Sequence, residues 1–248
     1  MAQIIDQTDD SELTGNEYDA SEIEESSLRN YHQACMGPPL QDHTPTVRQW
    51  LAAFFRIFVQ YGTPYADFGV WFPYDDRILE QLKYSVFVQT ALGEFRTIER
   101  KGPENLLKWE ASWAVFRVAL IGLSVVAPAI LDAYHAAIRQ LVNEYPEAWG
   151  NIADAENQLR KHESVRIRRE GEMAYMREES WARDYNPGRP WEFVFRQLSN
   201  PNHEYWVRTV RRPIELWLSR TGGRQGAPLT QEQKLAHAVA PGLVTLPA

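Results

Sequence analysis

Fourteen consecutive residues, Val118 to Leu131, carry no charge, and this run constrains the chain more than any other segment. It is bounded by Arg117 and Asp132 and extends an apolar stretch that begins at Trp113. A membrane span needs about 20 apolar residues in one helix. Arg117 interrupts this stretch and Pro128 breaks it, so the sequence predicts a buried core helix and no membrane partner. With 248 residues and 44% hydrophobic content, the chain can build one large core or two small ones. Nine Trp, eleven Tyr and ten Phe must be buried, stacked or used at an interface, because each ring carries a large apolar area.

Charge is divided unevenly. Residues 1–45 hold ten acidic side chains against Arg29 alone, whereas the remainder of the chain is slightly basic. The first twenty residues are polar and acidic, too poor in apolar groups to offset their ordering entropy. An acidic flexible arm is therefore expected over 1–43, in which Ser21-Glu22-Ile23-Glu24 offers a capping box for a short helix through Ala34. Residues Met1 to Glu12 have neither the basic nor the apolar region of a secretory signal, and Cys35 is the one cysteine. Both features fit an intracellular, cytoplasmic protein without a disulfide framework.

An aromatic-rich helical core is expected over 44–145. Thr44-Pro45 reads as a cap followed by proline at the first helical position, ahead of Val47, Leu51, Phe54 and Phe58. Gly62-Thr63-Pro64 ends that helix, and Tyr65 to Tyr74 reads as an aromatic loop packed over a core or against a partner. Asp75 or Asp76 then opens a second helix through Ile78, Leu79, Leu82 and Val86. Helices follow over about Glu104 to Val126 and from Pro128 to Val142. No run shows convincing strand alternation.

Residues 146–226 differ in kind. The segment from Pro146 to about Asp184 is charged on most faces, with Leu159, Val165, Ile167 and Met173 as sparse apolar points and Gly171 as a weak place. Such a helix is exposed, bridging or completed by another molecule. Short helices are expected over Trp191 to Leu198, Asn202 to Arg212 and Pro213 to Arg220, and residues 227–248 read as a last short helix and an extended tail. The fold class is all-α, an irregular multi-helix bundle with a disordered acidic N-terminal arm and an extended C-terminal tail.

Chemistry is sparse. The six histidines form no metal pair of recognised spacing, and His32, Cys35 and His43 leave a zinc set incomplete. No phosphate loop, dinucleotide turn or nucleophile elbow is present, so no cofactor is expected. Asp132 and His135 share a helix face, as a satisfied hydrogen bond or as a catalytic dyad. The basic residues say more. Arg166, Arg168 and Arg169 lie on the charged helix, and Arg196, Arg208, Arg211 and Arg212 lie among Trp191, Phe193, Phe195, Tyr205 and Trp206. Arginine for phosphates beside rings for bases is the chemistry of single-strand recognition. A small aromatic core with solvated arginines has the same sequence pattern.

The layout of acidic arm, helical body, aromatic loop and Pro/Gly-rich tail resembles coat and nucleocapsid proteins of helical RNA viruses. The resemblance implies a helical core holding RNA in a groove, and terminal arms docking on adjacent subunits. Coats of flexible filamentous plant viruses often carry an aromatic–Asp–aromatic signature, from which the nearest match here, Tyr65-Ala66-Asp67-Phe68, departs. A self-assembling capsid protein of a virion, binding single-stranded RNA through Arg166, Arg168, Arg169, Arg196, Arg208, Arg211, Arg212 and Trp206, is the expected function. Two alternatives stand beside it. One is an adaptor whose acidic arm binds a basic partner; the other is a helical enzyme using Asp75, Asp76, Asp132 and His135 near the 65–76 loop.

Overall fold

The computed structural model describes residues 19–69, 71, 73, 83–89 and 95–220. The acidic residues before Asp19 and the tail beyond Arg220 lie outside the described residues, as do Asp75, Asp76 and most of the segment that the sequence reads as a second helix. Among the described residues the architecture is an irregular α-helical bundle with a two-stranded antiparallel sheet.

The uncharged run builds the centre of the bundle as two helices. Helix α3 (Leu106–Gly122) starts where the Asn105 side chain accepts the Lys108 amide at 2.9 Å. Ten of the fourteen residues from Trp109 to Gly122 in α3 are buried, including all of the last five, which requires packing on most sides. Helix α4 (Pro128–Glu144) has proline at its first turn, where a missing N–H costs nothing. Its inner face is Leu131, Tyr134, Ile138 and Leu141, all fully enclosed. Arg117 and Asp132, the charges that bound the run in sequence, meet across the turn in a forked pair at 2.8 and 3.1 Å. No described helix is long and apolar enough to cross a membrane.

Helix α1 (Ala20–Cys35) corrects the reading of a flexible arm to residue 43. It packs on α3 through Ile23, Ser27 and Tyr31, and the Asn30 amide donates to the Gly122 carbonyl at 2.9 Å. Its cap is Asp19, which accepts from the Ser21 and Glu22 amides, so the expected box at Ser21 is displaced by two residues. Helix α2 (Val47–Phe54) is likewise capped by Thr46 in a reciprocal box with Gln49, not by Thr44. The helix widens into a π turn, Phe55–Val59, before the chain reverses at Tyr61, whose φ is +52°.

Strand β1 (Lys83–Gln89) and strand β2 (Phe95–Lys101) pair antiparallel, with Val86 opposite Ile98 and Phe87 opposite Thr97. The expected helix through Val86 is therefore wrong over these residues. Leu79, Leu82 and Val86 match a helical stripe, but Tyr84, Val86 and Val88 alternate as a strand requires, and β-branched and aromatic residues favour the pleat.

The charged segment is not a bridging helix. Helix α5 (Trp149–Gln158), a π turn (Leu159–Glu163) and helix α6 (Ser164–Met176) bury one continuous side: Ile152, Ala155, Glu156, Leu159, Arg160, Ser164, Ile167, Gly171 and Ala174. Gly171 is no weak place, because the ring of Phe193 occupies the space where its side chain would lie. Helix α7 (Pro190–Leu198) packs on α4 and α6. Its Glu192 accepts from the Ala127 amide at 3.1 Å, and Arg189 donates to the Ser124 carbonyl at 3.1 Å, so its start clamps the turn between α3 and α4. A single turn, α8 (Glu204–Trp206), runs through a π turn (Val207–Arg211) into α9 (Arg212–Arg220).

Gly122 marks the tightest approach of α1, α2 and α3. A methyl group there would lie 2.6 Å from the Trp50 indole and 2.8 Å from the Ser27 carbonyl oxygen, which is backbone. Gly122→Ala is expected to cost about 1–3 kcal/mol, read as a lower denaturation midpoint in urea, despite alanine's better helix propensity.

Candidate functional site

The aromatic loop folds over a buried ion pair. Arg160 and Glu156, one helical turn apart, are 3% and 1% exposed. Arg160 Nε and Nη2 donate to the two Glu156 oxygens at 2.5 and 2.9 Å, and its Nη1 donates to the Ala66 carbonyl at 2.5 Å. The Tyr134 hydroxyl donates to Glu156 at 3.2 Å. Above the guanidinium lies the Phe68 ring, its centroid 3.7 Å from Arg160 Cζ. Burial opposes the positive charge on Arg160, but the Glu156 carboxylate overcomes it and holds the guanidinium charged more firmly than usual. Burial also drives the Tyr134 phenol well above its usual range, helped by the negative charge of Glu156.

The pair fixes the loop in place. Ser112 Oγ donates to the Phe68 carbonyl at 3.1 Å, and Asp67 accepts from the Gly69 amide at 2.8 Å. Phe68 and Trp71 then pack edge-on against Phe116, and Phe68 approaches Trp109 and Trp113, which stack at 5.4 Å. These two loop rings thus pack over the core. Tyr65 remains half-buried, with its hydroxyl 3.2 Å from Asn157 Oδ1 and the guanidiniums of Arg56 and Arg160 at 5.0 and 5.4 Å from its ring centroid. Sequence reading missed Arg160, which looked like one of several solvated charges on a charged helix. Its available signal was the i, i+4 spacing from Glu156 on the one face that also carries Ile152, Leu159 and Ile167.

The eight residues proposed for RNA do not act as one surface. Trp206 is a correction: it is fully enclosed, its Nε1 donates to the Leu198 carbonyl at 3.0 Å, and it cannot stack on a base. Trp191, Phe193, Phe195 and Tyr205 are buried with it. Arg166 pairs with Glu163 and Glu170, Arg196 with Asp184, Arg208 with Glu163, and Arg211 with Glu144. Among the described residues Arg168, Arg169 and Arg212 make no ion pair. Arg168 sits 5.1 Å from the Trp191 ring with its Nε enclosed and unbonded, while Arg169 and Arg212 are exposed.

Asp132 and His135 share a helix face but bond to other partners. Asp132 is taken by Arg117, and His135 Nε2 lies 2.9 Å from Glu110 while its ring stacks on Trp109. Among the described residues no three His, Cys, Asp or Glu side chains converge as metal ligands. Among the described residues an open groove of about 700 Å³ runs between α5 and α8–α9, lined by Asn151, Asp154, Gln158, Tyr205 and Thr209.

No protein-family model, curated protein or solved structure matches the chain.

Two outcomes test this description. Glu156→Gln leaves Arg160 charged and enclosed without its counter-ion, and is expected to cost about 3–5 kcal/mol in urea unfolding. Pairing it with Arg160→Met should recover a large part of that loss. His203 caps α8 by accepting the Tyr205 amide at 3.2 Å, and burial followed by the nearby Arg166 charge lowers its pKa below 6.5. Its neutral form is the one the fold favours, so its contribution is complete above pH 6.5 and falls away as pH drops through the lowered value. His203→Asn keeps an acceptor at the cap, and its thermal midpoint should decline less than that of the parent between pH 7.5 and 5.

Proposed function

We propose that the chain is a non-enzymatic structural protein that associates with copies of itself and binds single-stranded RNA, as a coat or nucleocapsid protein does. The observation that supports self-association is one corner of the molecule, at the C-terminal end of α6. Met173, Tyr175, Met176 and Trp181 fall within nine residues there and stay exposed, Met176 at 72% and Trp181 at 49%. They continue the core outward, because Tyr175 contacts the buried Tyr185 ring at 5.8 Å and Trp181 contacts Phe193 at 5.9 Å. Contiguous large apolar side chains on a surface mark protein interfaces, and Met and aromatic residues are the types enriched in them.

The RNA component is supported by three of the candidate arginines, Arg168, Arg169 and Arg212, which make no ion pair among the described residues. Phosphate contact needs unneutralised charge and no base pocket. Arg166, Arg196, Arg208 and Arg211 are committed within the subunit and add little to it. On this reading the protein works in the cytoplasm and within an assembled particle.

Light scattering and electron microscopy of the purified protein should show assemblies, and replacing Met176 and Trp181 together by serine should reduce them toward monomers. Oligouridylate binding should weaken steeply with salt, and neutralising Arg168, Arg169 and Arg212 to glutamine should lower the slope of log K against log salt by about 2. A chain that stays monomeric at high concentration and binds no RNA at low salt would end this reading.

A further inference from the structure

Several arginines of the described body are matched, as the pairs Arg117–Asp132, Arg139–Glu110, Arg160–Glu156 and Arg189–Glu192 show. Arg56 is not among them. It sits on the π turn at the end of α2, half-buried, and its Nε is enclosed without a hydrogen bond. Among the described residues no carboxylate pairs with it, and its one electrostatic neighbour is Tyr65. Burial pulls its pKa down, as expected of a cation that has lost water and gained no anion. An enclosed guanidinium N–H without an acceptor is a standing cost to the fold, and the charge of the group is left for an anion from outside the subunit.

The surroundings give that anion a shape. Arg56 opens on a recess of about 40 Å³ lined also by Ala52, Ala53, Gln60, Tyr65 and Trp71. The recess is too small for a base or a metabolite but matches a compact oxyanion, and the planar fork of arginine suits two oxygens of one phosphate. Gln60 contributes a neutral amide, and the half-exposed Tyr65 ring offers a stacking face. The backbone is held ready: the Gly62 amide donates to the Arg56 carbonyl at 2.7 Å, and a side chain at Gly62 would press on Arg56 itself. The π turn, a feature frequent at functional sites, sets the direction of the side chain.

We propose that Arg56, Gln60 and Tyr65 form a phosphate-binding recess that receives one backbone phosphodiester of single-stranded RNA, with the adjoining nucleotide against the Tyr65 ring. The proposal rests on the RNA-binding reading above and adds a built contact in the N-terminal half of the chain. It favours nucleic acid over an acidic peptide because a carboxylate carries no planar ring to place on Tyr65.

The test uses the full chain and its variants Arg56→Gln and Arg56→Lys, with a labelled 20-residue oligouridylate, an oligoglutamate and inorganic phosphate as probes. Arg56→Gln should bind the oligouridylate about tenfold more weakly at low salt, with the salt slope reduced by about 0.7, while Arg56→Lys keeps the slope. Inorganic phosphate at constant ionic strength should raise the thermal midpoint of the parent and not of Arg56→Gln. Without ligand, Arg56→Gln should melt no lower than the parent, since it removes a half-buried charge that has no partner. If Arg56→Gln instead melts several degrees lower with its RNA slope unchanged, the residue is structural and the site is overturned. Equal loss of oligoglutamate and oligouridylate binding on Arg56→Gln overturns the choice of RNA. If the parent binds no oligouridylate while phosphate still protects it through Arg56, the RNA reading fails and the anion recess stands.

Discussion

A guanidinium enclosed by protein keeps its charge, so leaving its hydrogen-bonding groups without partners is costly, and the satisfaction of Arg160 organises the middle of this molecule. Its fork holds Glu156 and the Ala66 carbonyl together, which joins helix α5, the following π turn and the aromatic loop at one point. Tyr134 brings α4 to the same carboxylate, and Phe68 covers the cation from above. Three separate stretches of chain thus meet at one ion pair.

The π turns share a pattern with this centre. Each lies where a helix must carry an arginine past the core: Arg56 at the end of α2, Arg160 between α5 and α6, and Arg208 and Arg211 before α9. A π turn widens the helix by one residue and shifts the face that follows, so helices on either side can both keep an apolar face inward. The three sites then differ in their electrostatics. Arg160 is neutralised inside, Arg208 and Arg211 are neutralised at the surface, and Arg56 has no described carboxylate. The functional reading follows that difference, because only charge left unbalanced by the subunit can attract an anion from outside.

The aromatic content of the chain divides in the same manner. Trp191, Phe193, Phe195, Tyr205 and Trp206, interleaved with arginines in sequence, turn inward to build the core between α4, α6 and α7. Their arginines turn outward to carboxylates contributed by distant helices, such as Glu144 for Arg211 and Glu163 for Arg208. Exposed rings and methionines gather instead at the end of α6, at Met173, Tyr175, Met176 and Trp181.

What the chain encodes locally was legible without a structure: the helical bundle, the start of α4 at proline, and the burial of most of the Val118–Leu131 run. Each follows from spacing, capping or hydrophobic run length, which act over a few residues. The two-stranded sheet over 83–89 and 95–101 escaped because its apolar residues satisfy both periods, and only the presence of a partner strand selects one. The roles of Arg56 and Trp206 were not legible at all, and that of Arg160 only through its i, i+4 spacing from Glu156. Whether a guanidinium is buried or solvated, paired or free, depends on carboxylates and rings that lie up to dozens of residues away, and tertiary packing alone brings them within reach.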